Sequence, residues 1–215
     1  MKNKDLAIQN YKRFCDIEGN EYIASEFALK TILKIIKKFK VNTVLELGLG
    51  IGSIADTVLK QAKNENWKIS YVGTEKNDFC LKALKSNVID YNQIALYSEL
   101  NHIKNKKFDL IIIDGYDDTL KEIVAFCKMR TIIFIEGDRK GQTKTVLQIF
   151  PDSKYVNVVT LSKNKPYAHG YSPLAHYIGG GQLIFINPNF KMKLFWFQQK
   201  VVTFMINKIR KLRSK

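Results

Sequence analysis

Residues 43–53 constrain the fold more than any other stretch. Thr43-Val44-Leu45-Glu46-Leu47 is a short apolar run, stopped by Gly48-Leu49-Gly50-Ile51-Gly52 before helical periodicity begins at Ser53. A run of this length, rich in branched residues and bounded by glycine, reads as a strand buried on both faces. The glycines permit a tight turn with unusual φ and let a ligand come close to the main chain. The helix that follows offers unpaired amides at its start, with Ser53 predicted as its N-cap.

The same unit recurs. Residues 69–73, 93–97, 108–114 and 131–135 read as further strands, and 77–87, 117–128 and 141–150 as the helices between and after them. Before the first strand, residues 21–40 carry apolar side chains at three- and four-residue spacing with lysines between. Strands are then expected at 155–161 and 181–186, separated by a loop of irregular sequence and no helix. Alternating strands and helices imply a parallel sheet covered on both faces; two final strands without a helix imply an antiparallel pair at one edge. The predicted fold is α/β: a Rossmann-like, doubly wound, mainly parallel seven-stranded sheet with an antiparallel edge strand. An N-terminal helical cap (1–40) belongs to the domain at 1–190, and a basic amphipathic helix (191–215) follows it.

The glycine spacing separates two kinds of nucleotide site. A dinucleotide fold needs G-x-G-x-x-G, whose third glycine lets helix and strand pack closely, and a phosphate loop ends in G-K-[ST]. This chain has G-x-G-x-G with an acid two residues before the first glycine. Val44 to Gly52 thus resembles the first motif of the class I S-adenosylmethionine-dependent methyltransferases. The resemblance implies that the loop packs against the methionine part of the cofactor and that Glu46 helps orient it. Glu75, closing Tyr71-Val72-Gly73-Thr74-Glu75, is at the place of the acid that accepts hydrogen bonds from the ribose hydroxyls. Phe108-Asp109-Leu110-Ile111-Ile112-Ile113-Asp114-Gly115 is similar to the O-methyltransferase branch and sets Asp114 at the carboxyl edge of the fourth strand. The cofactor site expected from this is Glu46, Gly48, Gly50, Gly52, Ser53, Glu75, Lys76, Asp114 and Tyr116, with S-adenosyl-L-methionine as the ligand.

Methylating a hydroxyl requires alignment and, in general, a base or a metal to lower the hydroxyl's pKa. Asp114 is one candidate. Glu136-Gly137-Asp138-Arg139 after the fifth strand offers Asp138 as a second, with an exposed Asp138–Arg139 ion pair as the plainer reading. In catechol-type relatives, acids at these two strand ends, with a neighbouring Asn, hold magnesium. Here Asp114 matches one position, and Glu136 or Asp138 could supply the other oxygens for Mg2+ (Asp114 and Asp138 being the expected pair), but the Asp-Asn pair is missing. The loop 164–180 contains His169 and His176, and His169 is the candidate base from that loop. Tyr11, Lys12 and Arg13 are placed by analogy at the N-terminal side of the pocket.

Composition narrows the setting. Among the 215 residues, Cys15, Cys80 and Cys127 are far apart and flanked by apolar residues, so buried free thiols in a reducing compartment are expected. No apolar stretch is long enough to span a bilayer, and a cytoplasmic address is the expectation, with association at the membrane's cytoplasmic face as an option. Net charge is +15, and residues 191–215 hold eight Lys or Arg and no acid. That basic, aromatic tail leaves three occupants open: its own domain or a homodimer partner, an anionic membrane surface, or, least favoured, nucleic acid. The leading function is O-methylation of a small hydroxylated acceptor such as a sugar, glycan or specialised metabolite. An RNA or protein N-methyltransferase is the alternative, disfavoured because Asp114-Gly115-Tyr116-Asp117 lacks the Pro-Pro-aromatic motif of amino-group enzymes. A non-catalytic cofactor-binding scaffold is the reading from another class.

Overall fold

The computed structural model describes residues 3–213 other than 169–173. Two helices, α1 (Asn3–Cys15) and α2 (Glu26–Phe39), precede β1 (Thr43–Leu47) and α3 (Ser53–Asn64). Then come β2 (Ser70–Thr74), α4 (Asp78–Asn87), β3 (Ile94–Tyr97), β4 (Phe108–Ile113), β5 (Cys127–Glu136) and α5 (Lys140–Ile149). The chain finishes with β6 (Lys154–Val159), β7 (Gly180–Phe185) and α6 (Phe190–Arg213). Strand order across the single seven-stranded sheet is β3-β2-β1-β4-β5-β7-β6. β1 to β5 run parallel; β7 is antiparallel to both β5 and β6, so the expected antiparallel pair closes one edge with β6 outermost.

Strand residues divide between two cores with the two-residue period of a pleated sheet. Val44, Tyr71, Leu110, Ile112, Phe134 and Phe185 face the layer containing α1, α2 and α3. Leu45, Leu47, Val72, Ile111, Ile113, Ile133 and Ile184 face the other side, where Leu120, Ile123, Phe126 and Val146 cover them. Each strand therefore reads as uninterrupted apolar sequence, as a strand sandwiched between two layers must.

Three local expectations are corrected. The segment expected as a helix at 117–128 forms 3₁₀ turns over Leu120–Phe126 instead. Its buried residues are Leu120, Ile123 and Phe126, a strict three-residue spacing that a helix of three residues per turn places on one side. β5 begins at Cys127, four residues before the apolar run; Lys128, Met129 and Arg130 precede the buried stretch, opposite a register shift between Phe108 and Leu110. Ser53 does not cap α3. Gly52 takes the N-cap position, and the Ser53 hydroxyl accepts a hydrogen bond from the Ala24 amide at 3.0 Å, tying the N-terminal segment to α3.

Arg13 secures the same cap from the other end. Its guanidinium donates to the Asp56 carboxylate at 2.6 Å and to the Asn87 carbonyl at 3.0 Å, joining α1 to α3 and to the end of α4. All three cysteines are buried and outside any disulfide.

Phe134, wholly buried in the centre of β5, tests this packing. Phe134→Ala should lower unfolding free energy by about 3–5 kcal/mol in urea titration, with the slope unchanged. A loss well under 1 kcal/mol would mean that the site collapses freely and the layer is not tightly packed.

Candidate functional site

β1 and β4 stay bonded one step beyond their strands. The Leu47 carbonyl accepts from the Asp114 amide at 3.0 Å and from the Gly115 amide at 2.6 Å. This brings two glycines into contact: a Cβ on Gly48 would lie 2.3 Å from the Gly115 Cα. No side chain fits at either position, which is the physical basis of both the first glycine after β1 and the Asp-Gly ending of β4. Gly52 has a different task, because a Cβ there would strike Val88 and Leu84 at 2.3 and 2.9 Å. It lets α4 lie close and does not line the crevice.

Above this junction, at the carboxyl edge of the parallel strands, lies a crevice of about 580 Å³. That is where open α/β sheets bind ligands, at the point where strand order reverses. Of the residues assigned to the cofactor from the sequence, Gly48, Gly50, Glu75, Lys76, Asp114 and Tyr116 line it. Gly52 and Ser53 do not; both are consumed by internal packing. The crevice also gathers residues that the sequence did not single out: Glu21 and Tyr22 from the N-terminal cap, Ser98 and Glu99 after β3, and Asp117 and Asp118 after β4. Only the folded connections place these together, and none belongs to a short motif.

Charge is the outstanding property of this crevice. Seven carboxylates line it (Glu21, Glu75, Glu99, Asp114, Asp117, Asp118, Glu136) against two cations, Lys76 and Arg139. The whole chain has 20 acids and 35 Lys or Arg. A third of the acids in a basic protein thus converge on one opening, so the crevice favours a cation and disfavours a pyrophosphate.

Each central acid is held differently. Glu75 accepts from the Gly50 amide at 2.8 Å through Oε2, and from the Lys76 and Asn77 amides at 2.9 and 2.8 Å through Oε1. Three of its roughly four lone-pair sites are used, which fixes the carboxylate at the rim of the glycine loop. Glu46 is fully buried beneath that loop. Its Oε2 accepts from the Tyr71 hydroxyl, whereas Oε1 has no hydrogen-bond partner among the described residues. Burial raises the Glu46 pKa well above the ordinary carboxylate value; Asp114 and Glu75 push the same way, and the Tyr71 hydroxyl opposes them.

Asp114 is pushed up to about 7, first by burial and then by the negative charge of Glu136; the Arg139 guanidinium acts in the opposite direction. Arg139 donates to the Asp114 Oδ1 at 3.2 Å and to its carbonyl, and its Nε bonds the Glu136 carbonyl at 3.1 Å. Glu136, in turn, accepts from the Ser25 hydroxyl at 2.7 Å, so the N-cap residue of α2 positions the acid at the end of β5.

The acid brought opposite Asp114 is therefore Glu136, not Asp138. Gly137, at φ +68°, turns the chain, and the Asp138 side chain is 74% exposed beside Lys140 at 3.4 Å. Asp138 lines a separate surface hollow with Tyr155 and Asn157, so it neither shares a metal with Asp114 nor pairs with Arg139. Among the described residues no group of three or more His, Cys, Asp or Glu is arranged to hold a metal ion. His169 lies outside the described residues, and His176 is exposed away from the crevice. Tyr11 lies edge-on to Tyr167, and Lys12 sits over the same ring, so these cap residues hold the loop that follows β6. Arg13 is spent on Asp56.

No protein-family model matches the chain, and no curated protein matches it in sequence. Solved structures do match in shape. An O-methyltransferase from Bacillus cereus, in complex with S-adenosylhomocysteine, superposes with a TM-score of 0.58 at 12% identity, over 85% of this chain and 90% of that one. The O-methyltransferase TomG from Streptomyces achromogenes, in complex with S-adenosylmethionine, gives 0.57 at 12%, over 87% and 91%. A precorrin-6y C5,15-methyltransferase from Geobacter metallireducens gives 0.55 at 14%, over 78% and 90%. The fold is that of the class I S-adenosylmethionine-dependent methyltransferases, O-methyltransferase-like in its overall build.

Glu46 and Asp114 make stability depend on pH in a defined direction. Both bind a proton more tightly in the folded chain than in the unfolded one. Their contribution is therefore fully present below the ordinary carboxylate pKa and is lost as pH rises through about 7 for Asp114. Thermal unfolding should show a midpoint that falls from pH 5 to pH 8, with a shallower fall in Asp114→Asn. Equal slopes in the two proteins would contradict the burial of this carboxyl.

Proposed function

We propose that the chain is an S-adenosylmethionine-dependent methyltransferase acting on a hydroxyl of a small acceptor, a sugar, glycan or specialised metabolite. The observation that carries this reading is the concentration of seven carboxylates in the crevice of a strongly basic chain. The cofactor bears a sulfonium and an ammonium group, and a site for it gains from surrounding negative charge. A nicotinamide dinucleotide would instead bring two phosphates against that charge.

The residues present fit this cofactor. Glu75, already fixed by three amides, would accept from a ribose hydroxyl with its remaining lone pair, and the Gly48 and Gly50 main chain would pass along the methionine part. The unpartnered Oε1 of Glu46 is the kind of buried acceptor that a donor on the ligand, directly or through water, would satisfy. When bound, S-adenosylmethionine supplies an electrophilic methyl group at which an oxygen lone pair displaces a thioether.

The chain's own part is to align the acceptor and take its proton. Asp114 suits this role: it lines the crevice, Arg139 holds its Oδ1, and a pKa of about 7 suits a base working at neutral pH. Arg139 orients Asp114, and Ser25 orients Glu136. Magnesium is no part of this reading: Arg139 already engages the Asp114 Oδ1, and among the described residues no group of three or more His, Cys, Asp or Glu is arranged to hold a metal ion. Amino-group methylation stays a second reading, favoured by nothing at the mouth of the crevice. Nucleic-acid acceptors are disfavoured by its acidity.

Calorimetric titration tests the cofactor assignment. S-adenosylhomocysteine should bind saturably, NAD should not, and Glu75→Ala should weaken binding by about 10–10²-fold, the loss of one charge-assisted hydrogen bond. No heat with millimolar S-adenosylhomocysteine would overturn the reading. Once an acceptor is found, the rate should climb as pH passes about 7 and Asp114 loses its proton. Asp114→Asn should lower turnover by about 10²–10⁴-fold.

A further inference from the structure

α6 has two faces, and only one is used by the fold. On the inner side, Met192 and Phe195 are buried, and Phe195 stacks edge-on with Phe39 and Phe185. Three side chains spaced by seven residues fasten the helix along β6. The Trp196 Nε1 donates to the Tyr155 carbonyl at 2.8 Å, the Thr203 hydroxyl to the Asn157 carbonyl at 2.7 Å, and the Arg210 Nε to the Thr160 carbonyl at 3.1 Å. The free carbonyls of an edge strand are thereby closed off. One of the occupants expected for this segment, its own domain, is thus accounted for.

The outer side is a second, unpartnered apolar stripe. Phe190, Leu194, Phe197, Val201, Phe204, Met205 and Leu212 are all exposed, from 47% at Leu194 to 82% at Phe190. At about 100° per residue they fall within an arc of about 100°, in line along a helix about 36 Å long. Lys200 lies beside the stripe, over Trp196, and Lys208 lies within it, over Phe204, at 4.8 and 5.4 Å from the ring centres. Lys34 and Lys38 of α2 approach Phe195 from the neighbouring helix at 5.3 and 5.0 Å. α6 itself contains no acid.

We infer that α6 is a membrane-surface helix that docks the domain on an anionic bilayer, with the stripe in the acyl boundary and the lysines among the headgroups. An exposed row of phenylalanines bordered by cations, without acids, matches an interface that is apolar below and negative above. A second copy is a poorer occupant. A two-fold interface pairs this surface with itself, setting one acid-free basic helix against another. Nucleic acid would use the cations and leave the phenylalanines in water. No described helix is long and apolar enough to cross a membrane, so the mode is lateral.

Flotation of the purified full chain with vesicles tests this. Vesicles of phosphatidylcholine with 30 mol% phosphatidylglycerol should retain the protein, and pure phosphatidylcholine vesicles should retain about tenfold less. Phe197→Ser/Phe204→Ser should abolish retention; Lys193→Glu/Lys208→Glu should abolish it without removing an apolar group. Circular dichroism and the thermal midpoint report whether each variant remains folded, and both substitution sites lie on exposed residues. Equal retention of wild type and folded variants would overturn the proposal. So would the absence of retention, whether the wild type is a monomer, a dimer by light scattering that Phe197→Ser/Phe204→Ser dissociates, or a binder of single-stranded RNA in gel shift.

Discussion

The carbonyl of Leu47 accepts two amides, from Asp114 and Gly115, and so holds the ends of β1 and β4 together past the last strand residue. That contact leaves no room for a side chain at Gly48 or Gly115. It fixes where the glycine loop begins, how high Asp114 stands over the sheet, and how close Glu46 is buried beneath both. Loosening this junction would separate Glu75, bonded to the loop through Gly50, from Asp114 and Arg139 on the other wall.

A second constraint is electrostatic. Three acids, Glu46, Asp114 and Glu136, meet where the strands end, and a single guanidinium stands among them. Burial and mutual repulsion raise the pKa values of Glu46 and Asp114, a cost of order a kilocalorie per mole or more that a purely structural site would have no reason to retain. Strain of this sort is commonly held at functional sites. The N-terminal cap belongs to the same arrangement: Ser25 bonds Glu136, Ser53 accepts from Ala24, and Tyr22 lines the opening.

Much of this was legible in the sequence. The strands are buried on both faces, so their apolar runs are continuous and easy to place; Glu46, Glu75 and Asp114 sit at strand ends marked by glycine or by polarity. What was not legible depends on turns and on contacts between distant segments. Gly137 rotates Asp138 out of the crevice, and nothing in Glu136-Gly137-Asp138-Arg139 says which acid points inward. The three-residue spacing of Leu120, Ile123 and Phe126 differs from the α-helical period by about 0.6 residue per turn, too little to separate by eye over seven residues. Gly52 and Ser53 look like ligand-loop residues in sequence because their partners, Val88 and Ala24, lie 36 and 29 residues away. The outward stripe of α6 was present in the sequence, but only the inner anchors to β6 show that it is the face left over.

If the chain is a methyltransferase, the acidic crevice, and no other cavity, should receive the cofactor. A second groove of similar size, about 630 Å³, lies between α2 and α6 and is lined by Phe27, Lys34, Phe195 and Val202. Ultraviolet cross-linking of methyl-labelled S-adenosylmethionine to the purified chain, followed by peptide mapping, distinguishes the two. Label should appear in peptides spanning 46–53, 74–80 or 114–118 and be removed by competition with S-adenosylhomocysteine. Label confined to peptides of α2 and α6, or label that the competitor does not displace, would contradict this placement.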